Sequence, residues 1–566
     1  MLEDDEERVD AFGELIPTEE DDKTSGKKLI ILIIIGFIVI IIVAMFIIAL
    51  MRYKKHLTID ELNLVNTTAN DVASEYGNKS YGTSTDLDNG ESVSITKGGS
   101  FNLEGEYTCI NINTTTDVQL KLNNVSISCE TGPAINVENA DTVSIVLTGD
   151  NYVSSNTVEE LDAAIFSADD LVFSGDGSLT ITSNYDGIAS KDTLVFMSGT
   201  YNITSVDDGI RGKDNVAIVN GNYTIRSGGD GIKSTEDLDT SKGFIVIDNG
   251  TFDIETSVDA IQAQTYLNIS NGEFKITTGS GHETRLGDGE TAKGLKAQTQ
   301  ISIKDGKFTF NTADDSIHSN GTIAIAGGTI NIQTGDDGAH AENQLYVSGG
   351  NITIETCYEG LEGSVLTITG GNIKITASDD GLNSVGEDST SGGGPGQDNF
   401  RNSTGAIVIN GGTIKIYASS DGIDCNGSIE MNGGTVYVES SAGAAETALD
   451  HDSTFTINGG TLVAVAKSSG VNDIGERIST IPMLIANVNG SGTIKLGDIS
   501  YTPKLDSYSF IIIASDKLST GSNTLTYGEN SATVKLSNSA TTYGNSNSGM
   551  GGGPGGMPPG GGPPGR

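Results

Sequence analysis

Two short stretches of alternating apolar and polar residues recur along the central part of the chain. In one copy, Ile323 and Ile325 precede a glycine pair, and Ile330 and Ile332 follow it. A period of two residues is typical of a β-strand, because successive side chains point to opposite faces of the strand. A third short stretch, with an apolar residue followed two positions later by a small one, comes after an Asp-Gly pair. The pattern predicts three short strands in each copy.

These stretches belong to an internal repeat that extends from about residue 175 to about residue 470. The motif Gly-Gly-Thr/Asn-Ile begins, for example, at Gly327, Gly349 and Gly370, a step of 21 or 22 residues. The Asp-Gly motif keeps the same step. Three strands per step predict an all-β fold, a parallel β-helix solenoid, in which equivalent positions of successive coils lie about 4.8 Å apart.

One strand position carries an aromatic ring in five successive repeats. Later repeats fill the same position with Ile330, Ile352 and other aliphatic residues, which indicates an inward position. We therefore predict core packing rather than a stacking platform for sugars. The rings belong to Tyr201, Tyr223, Phe252, Phe274 and Phe308.

The four cysteines fit the same scheme. Cys425 falls on a small inward position, which predicts a buried thiol. Cys109 and Cys129 are 20 residues apart, so they could lie on adjacent coils and form a disulfide if the domain is outside the cell.

Acidic residues occupy the turn before the third strand in most repeats, interrupted by Lys293. Carboxylates one coil apart repel each other by about 3 to 4 kcal/mol at an effective dielectric constant of about 20. They need a cation or a proton, and calcium suits clustered oxygen ligands. The predicted calcium ligands form three groups: Asp186 with Asp207, Asp208 and Asp230; Asp314, Asp315, Asp336, Asp337 and Glu359; and Asp379 and Asp380 with Asp421 and Asp424.

The acids also have roles that need no calcium. Asp-Gly is a common turn, in which the Asp side chain binds nearby backbone amides. Arg211 and Lys233 follow the first group and could neutralise part of it without metal. His318 and His340 lie one repeat apart in an outward register beside acids and could form a transition-metal pair, although solvated surface is the prediction for them.

Charge and motifs exclude several functions. The chain of 566 residues carries 75 Asp and Glu against 32 Lys and Arg, a net charge of −43, and such a chain repels phosphate backbones. We therefore predict no nucleic-acid partner. No Gly-x-Ser-x-Gly sequence or similar spacing identifies a hydrolase nucleophile.

The apolar run 29–51 contains 23 consecutive uncharged residues, which is long enough to span a bilayer. Lysines and arginines are balanced on its two sides, so charge does not decide the orientation. The large Asn, Thr, Ser and Gly-rich remainder favours an extracellular C-terminal domain. The predicted divisions are an acidic disordered cytoplasmic tail 1–28, a transmembrane helix 29–51, a juxtamembrane linker 52–84, an N-terminal β cap with the first coils 85–174, β-helix repeats 175–480, a C-terminal β cap 481–540 and a disordered Gly/Pro/Met-rich tail 541–566.

The sequence DAAIFSADDLVFSGDGSLTIT at 162–182, followed by DGIASKD at 186–192, DDGIRGKD at 207–214 and DGIKSTED at 230–237, resembles a bacterial family of calcium-binding right-handed β-helix proteins that bind carbohydrate. The resemblance covers roughly residues 85 to 530. It implies a scaffold similar to that of pectate lyases, calcium at the matching Asp-Asp-Gly motifs, and binding of plant-type polysaccharides such as cellulose and acidic pectin.

We therefore expect a single-pass protein of the bacterial cell membrane whose extracellular domain binds polysaccharide with calcium. Two other functions stay open, and so does the oligomeric state. One is a calcium-dependent polysaccharide lyase, for which Lys213 and Lys233 are the candidate bases. The other is a structural surface stalk or adhesin. The polar loops 234–243, 279–292 and 385–404 interrupt the repeats and are candidate binding surfaces.

Overall fold

A computed structural model describes residues 62–156, 163–386, 405–443, 446–468 and 476–544. The predicted cytoplasmic tail, the predicted transmembrane helix and most of the predicted C-terminal tail lie outside the described residues. Within the described ranges, no helix is both long and apolar enough to cross a membrane. All elements described below belong to the compact unit Leu64–Arg566.

The described chain is almost entirely β-structure, which confirms the all-β prediction. One helix, α1 (Ala69–Ala73), precedes the strands. The strands before the repeats are β1 (Ser84–Asp86), β2 (Val93–Ile95), β3 (Gly99–Tyr107), β4 (Ile110–Asn113), β5 (Val118–Cys129), β6 (Ile135–Asn139), β7 (Thr142–Thr148), β8 (Asp150–Ser155), β9 (Ala163–Ser167) and β10 (Asp170–Gly175).

The strands of the repeats are mostly three to six residues long. In chain order they are β11 (Ser178–Ser183), β12 (Asp186–Ser190), β13 (Thr193–Phe196), β14 (Thr200–Ser205), β15 (Ile210–Gly212), β16 (Asn215–Ile218), β17 (Asn222–Ser227), β18 (Ile232–Ser234), β19 (Phe244–Ile247), β20 (Thr251–Thr256), β21 (Ile261–Ala263), β22 (Tyr266–Ile269), β23 (Glu273–Thr278), β24 (Leu295–Ala297), β25 (Gln300–Ile303), β26 (Lys307–Thr312), β27 (Ile317–Ser319), β28 (Thr322–Ile325), β29 (Thr329–Thr334), β30 (Ala339–Val347), β31 (Asn351–Thr356), β32 (Leu361–Ile368), β33 (Asn372–Ala377), β34 (Leu382–Ser384), β35 (Gly405–Ile409), β36 (Thr413–Ala418), β37 (Ile423–Cys425), β38 (Gly427–Met431), β39 (Thr435–Ser440), β40 (Thr454–Ile457) and β41 (Thr461–Ala466).

The remaining strands are β42 (Glu476–Ser479), β43 (Met483–Gly490), β44 (Ile494–Leu496), β45 (Ile499–Tyr501), β46 (Tyr508–Ser515), β47 (Gly521–Tyr527), β48 (Asn530–Leu536) and β49 (Ala540–Tyr543). β46 runs antiparallel to β41 and β43, and β44, β45, β47 and β48 form a separate small sheet. The last strand reaches Tyr543, so β-structure continues past residue 540, where the sequence analysis began the disordered tail.

Apart from β37 and β41, each strand of the repeats pairs in parallel with the equivalent strand one repeat later, which produces one large and mostly parallel sheet. Tyr201 is paired with Tyr223, for example, and Ile210 with Ile232. The strands that begin at or shortly after the Asp-Gly turns are called the aspartate row here: β12, β15, β18, β21, β24, β27, β30, β32, β34 and β37.

Burial follows the predicted alternation. The five predicted rings are between 0% and 2% exposed, and neighbouring rings in this series stack with centroids 4.6 to 5.1 Å apart. The core assignment of these rings is therefore confirmed. Cys425 is buried as predicted, and Cys109 and Cys129 form a disulfide.

Part of the segment predicted to be a juxtamembrane linker is instead attached to the sheet. Thr68 caps α1, whose buried Ala69 and Ala73 pack against Val195, Ala217 and other strand residues. The Asp248 carboxylate accepts hydrogen bonds from the first backbone amides of the helix at 3.0 and 2.9 Å. The composition of this segment gave no sign of the attachment, because its few apolar residues show no periodicity.

Candidate functional site

The aspartates that open the aspartate row use one carboxylate oxygen to hold the next repeat. Asp186 Oδ1 accepts a hydrogen bond from the backbone N–H of Asp208 at 3.0 Å, and Asp208 Oδ1 accepts one from Asp230 at 2.8 Å. These side chains therefore bind backbone amides, as predicted for Asp-Gly turns, but the amide belongs to the next repeat rather than to the turn itself, and the bond uses only Oδ1. The same bond is made by Asp230, Asp259, Asp315, Asp337, Asp380 and Asp421.

In the first predicted calcium group, side-chain cations face the second oxygen. Arg211 Nε lies 2.6 Å from Asp186 Oδ2. Lys233 Nζ lies 2.7 Å from Asp230 Oδ2 and 3.4 Å from Asp208 Oδ2. Burial raises the pKa of Asp230 to about 6, even though Lys233 opposes the shift. The protein itself therefore supplies much of the positive charge that this group needs.

Asp207, the fourth member of the first group, is exposed. One of its carboxylate oxygens lies within 4.8 Å of oxygens of Asp186 and Asp208. The structure thus brings the group together, but Arg211 and Lys233 already form ion pairs with its carboxylates.

The middle group contains both paired and unpaired carboxylates. Lys293, which interrupts the row of acids, contacts Asp314 at 2.7 Å and Asp315 at 2.6 Å. Burial alone raises the pKa of Asp315, but His318 and Lys293 outweigh burial and hold it below its usual range. Burial and the negative charges of Asp337 and Asp315 raise the pKa of Asp336 to about 6.

Glu359 ends the middle group. Burial, followed by the charges of Glu362 and Asp337, raises its pKa to about 9. One of its carboxylate oxygens accepts a hydrogen bond from Asn383 Nδ2 at 2.7 Å, which is a neutral donor rather than a cation.

The third group is the most electrostatically strained. Asp421 is 4% exposed, and its carboxylate oxygen lies within 4.8 Å of oxygens of Asp424 and Asp450. Burial, a hydrogen bond with Glu446 and the charge of Asp380 raise the pKa of Asp421 to about 9. Burial and the charges of Asp380 and Asp450 raise the pKa of Asp424 to about 7.

Two further members of this region differ in their surroundings. Burial and the charge of Asp379 raise the pKa of Asp380 to about 6. Asp379 itself bonds the Tyr358 hydroxyl and raises the pKa of that phenol to about 12. Within the described ranges, no Lys, Arg or His forms an ion pair with Asp380, Asp421 or Asp424.

The first and third groups differ in the residue three positions after the acid, which can face an acid of its own repeat or of the repeat before. This residue is Arg211 or Lys233 in the first group, but Asn383 and Asp424 in the third. The sequence identified Arg211, Lys233 and Asp424 one by one, but not as one series at a constant spacing from the acids. Asp450 was not predicted at all; it follows the isolated bridge between Ile423 and Leu449 and has no equivalent in the repeat motif.

The two candidate bases of the lyase hypothesis are held as ammonium ions. Lys213 Nζ lies 2.8 Å from Glu236, and this hydrogen bond raises its pKa. Burial favours the neutral form of Lys233, but Asp230 and Asp208 outweigh it and raise the pKa. Raised pKa values oppose the loss of a proton that a general base requires.

The loop predicted at 279–292 forms one wall of a cavity of about 610 Å³. Arg285, Asp288 and Glu290 line this wall, and the opposite side includes Asp314 and Asp336 of the middle group. The cavity therefore joins a polar loop to the acids of the aspartate row, and loops held by a rigid scaffold often carry binding residues.

A family model described as "Carbohydrate-binding domain-containing protein" matches residues 89–338 and 337–479. The chain belongs to this family. Membership implies a polysaccharide partner at the level of the family, and it confirms the carbohydrate-binding part of the expectation. The calcium ions and the particular glycan are not part of that description.

One solved structure is similar to the chain, a polysaccharide lyase-like protein from C. thermocellum studied as a gadolinium derivative. The identity is 26% over 35% of this chain and 90% of that chain, with a TM-score of 0.33, which supports no inference about fold or function. No curated protein matches the chain.

Proposed function

We propose that this protein binds acidic polysaccharide through calcium ions held by the aspartate row, with the main site at Asp380, Asp421, Asp424 and Asp450. The observation that carries the proposal is the third group, where the carboxylates of Asp421, Asp424 and Asp450 converge. Within the described ranges, Asp421 and Asp424 form no ion pair with Lys, Arg or His. Burial raises the pKa of Asp450, and the charge of Arg477 opposes that shift. Family membership supports carbohydrate as the ligand class.

The donor set fits calcium. Ca²⁺ takes six to eight oxygen ligands with flexible angles, and carboxylates, carbonyls and water together satisfy it. Burial first, and then the neighbouring negative charges, raise the pKa values of Asp421 and Asp424, and a divalent cation would balance those charges. Calcium would supply that charge, while Asp380 and Asp421 continue to hold the neighbouring backbone through Oδ1.

Calcium would also offset the electrostatic repulsion between this acidic protein and an acidic glycan. A chain with a net charge of −43 repels uronate polymers. Carboxylates of the glycan would bind the open face of the calcium, and the polar cavity beside Arg285 would receive neighbouring sugar units. Binding should therefore require calcium.

We also infer that the strands wind as a parallel β-helix, because strands of successive repeats continue the same parallel pairing. A right-handed coil is expected, because connections between parallel strands of one sheet are almost always right-handed. Such a coil gives the carboxylates a fixed spacing along its length. We infer further that run 29–51 anchors the protein in a bacterial membrane with this domain outside. The disulfide between Cys109 and Cys129 supports an oxidising compartment.

Affinity electrophoresis of the full chain in mild detergent tests the proposed function. Gels cast with polygalacturonate should retard the protein in calcium and release it in EGTA. Asp421→Asn should abolish the retardation, because Asn keeps the oxygen that accepts the Thr447 N–H but loses the charge. Asp186→Asn is the matched control and should remain retarded, because its group already has Arg211.

Three results would replace the proposal with a different function. Unsaturated sugar products with a cleared gel would indicate a lyase. Retardation in a soluble cellulose derivative but not in polygalacturonate would indicate a neutral glycan. Unchanged mobility in every gel would favour a structural stalk or adhesin.

A further inference from the structure

Two histidines lie at the centre of the aspartate row, between the part with side-chain cations and the part without them. His318 and His340 are paired across β27 and β30, and their ring centroids are 5.1 Å apart. They occupy the position three residues after the acid, where earlier repeats carry Arg211 and Lys233. This is a separate place in the fold from the proposed calcium site at Asp421.

His340 is surrounded by metal-ligating groups. Its Nδ1 lies 3.2 Å from Glu362 Oε2 and 3.4 Å from Asp337 Oδ2. One ligand atom from each of these three residues lies within 4.8 Å of the other two. His318 and Asp315 form a second such group with the same His340.

The two groups differ in the charge that already faces them. Lys293 occupies Asp315 Oδ2 at 2.6 Å, and His318 Nδ1 lies 2.8 Å from the same oxygen. Within the described ranges, no Lys or Arg pairs with Asp337 or Glu362. The set around His340 is therefore the one with room for a cation.

The surroundings permit a metal ion to enter. The side chains of His340 and Glu362 are 25% and 16% exposed, so they are shielded from water but not sealed. Both line a cavity of about 380 Å³, together with Glu342, Asn343 and Ser364. This cavity leaves space for water or another small ligand to complete a coordination shell.

The ligand type selects the metal. Calcium prefers oxygen donors only, whereas imidazole with carboxylates suits zinc and other first-row divalent ions. We propose that Asp337, His340 and Glu362 bind one first-row transition-metal ion such as Zn²⁺, with His318 beside it as a further imidazole.

A protonated imidazole is the alternative to a bound metal. A charged His340 would neutralise Asp337 and Glu362 as Lys233 neutralises Asp230. The other charged or titratable groups that face this set from its own and the neighbouring strands are His318, Glu342, Lys296, Asp314, Asp315, Asp336, Glu359 and Lys293. Of these, Glu342 lies 3.9 Å from His340 Nε2. Zinc and a proton would compete for the same imidazole, so the test must measure the metal itself.

The experiment is a Zn²⁺ titration of the full chain in detergent, after chelator treatment, in the presence of excess calcium. We expect one zinc ion to bind, and His340→Ala should weaken it at least about tenfold, since even loss of outer-shell partners has that effect. Glu362→Gln should weaken it too. His282→Ala is the matched control, because this histidine bonds Asn311 outside the group.

A second readout separates loss of metal from misfolding. Co²⁺ bound to the chelated protein should show a visible d–d spectrum, which Zn²⁺ removes and His340→Ala lacks. Retention of the polygalacturonate shift by His340→Ala would show that this variant is folded and that the calcium site is separate. Zinc affinity unchanged in His340→Ala, or zinc displaced by calcium, would overturn the proposal.

Discussion

In the first and last parts of the aspartate row, the Asp side chains make the same hydrogen bond to the backbone. The two parts differ in how they balance charge. Asp186 and Asp208 hold the next repeat through Oδ1, and so do Asp380 and Asp421. In the first part, Arg211 and Lys233 neutralise the remaining oxygen. The last part offers Asn383 and Asp424 instead. The repeat therefore builds the same scaffold in both parts, while the residue three positions after the acid differs in charge between them.

Replacing Lys233 with Asn would remove a side-chain cation from the first part, so that it resembles the last part. We expect a loss of about 2 to 3 kcal/mol in unfolding free energy in EGTA, because the buried Asp230 would lose its cation, with the partial exposure of Lys233 reducing the cost. Calcium should restore part of the loss. Denaturant unfolding with and without calcium measures both effects, and a variant indifferent to calcium would break the comparison.

In the metal-free protein, folding stability should depend on pH through the carboxylates of the last part, which have no side-chain cation. The folded-state pKa values of Asp380, Asp421 and Asp424 lie at about 6, 9 and 7, above the ordinary value of 3.8. The folded state therefore binds more protons than the unfolded state. Their contribution is complete below about pH 4 and is lost as the pH rises through these values.

Thermal unfolding at a series of pH values checks this expectation. In EGTA, the melting temperature should fall between about pH 5 and about pH 9. Calcium should reduce or reverse the fall, because it binds the deprotonated carboxylates. An equal slope with and without calcium would contradict a metal at these residues.

Replacing Asp424 with Lys would place a side-chain cation in the last part, as Lys233 is placed in the first. In EGTA, we expect the variant to be about 1 kcal/mol more stable than the parent protein, because the new ammonium would face Asp421 and Asp380 as Lys233 faces Asp230 and Asp208. Calcium should no longer raise its melting temperature. If calcium raised the melting temperature of the variant as much as that of the parent protein, the ion would bind elsewhere.

The smallest effect is expected at an exposed ion pair. Lys307 and Glu273 are 2.6 Å apart, but their side chains are 61% and 57% exposed. Glu273→Gln should change the unfolding free energy by less than about 0.5 kcal/mol. A loss comparable to that of Lys233→Asn would show that burial is not what separates the strong pairs from the weak ones.

The regular part of the molecule could be predicted from sequence because its signals repeat. The alternation around Ile323 and Ile330 indicated strands, and the shared register placed Tyr223 and Phe274 in the core. The attachment of α1 could not be predicted, since Asp248 and the helix are far apart in sequence and make their contact only once.

The candidate site was predicted in register but not in detail. The spacing of Asp186, Asp208 and Asp230 identified the row of acids, and the turn motif indicated bonds to nearby amides, but not that Oδ1 binds the amide of the next repeat. The proximity of Asp450 to Asp421 depends on the irregular chain after the last Asp-Gly turn. Irregular segments carry no repeat signal, so the position of Asp450 could not be predicted from the sequence.

Crystals grown from chelated protein and soaked in calcium would test the central claim most directly through anomalous scattering. The account predicts a peak among the carboxylates of Asp421, Asp424 and Asp450, and no peak between Asp186 and Asp208, where Arg211 already lies. A calcium peak only in the first group, or no peak beside Asp421 at saturating calcium, would contradict it.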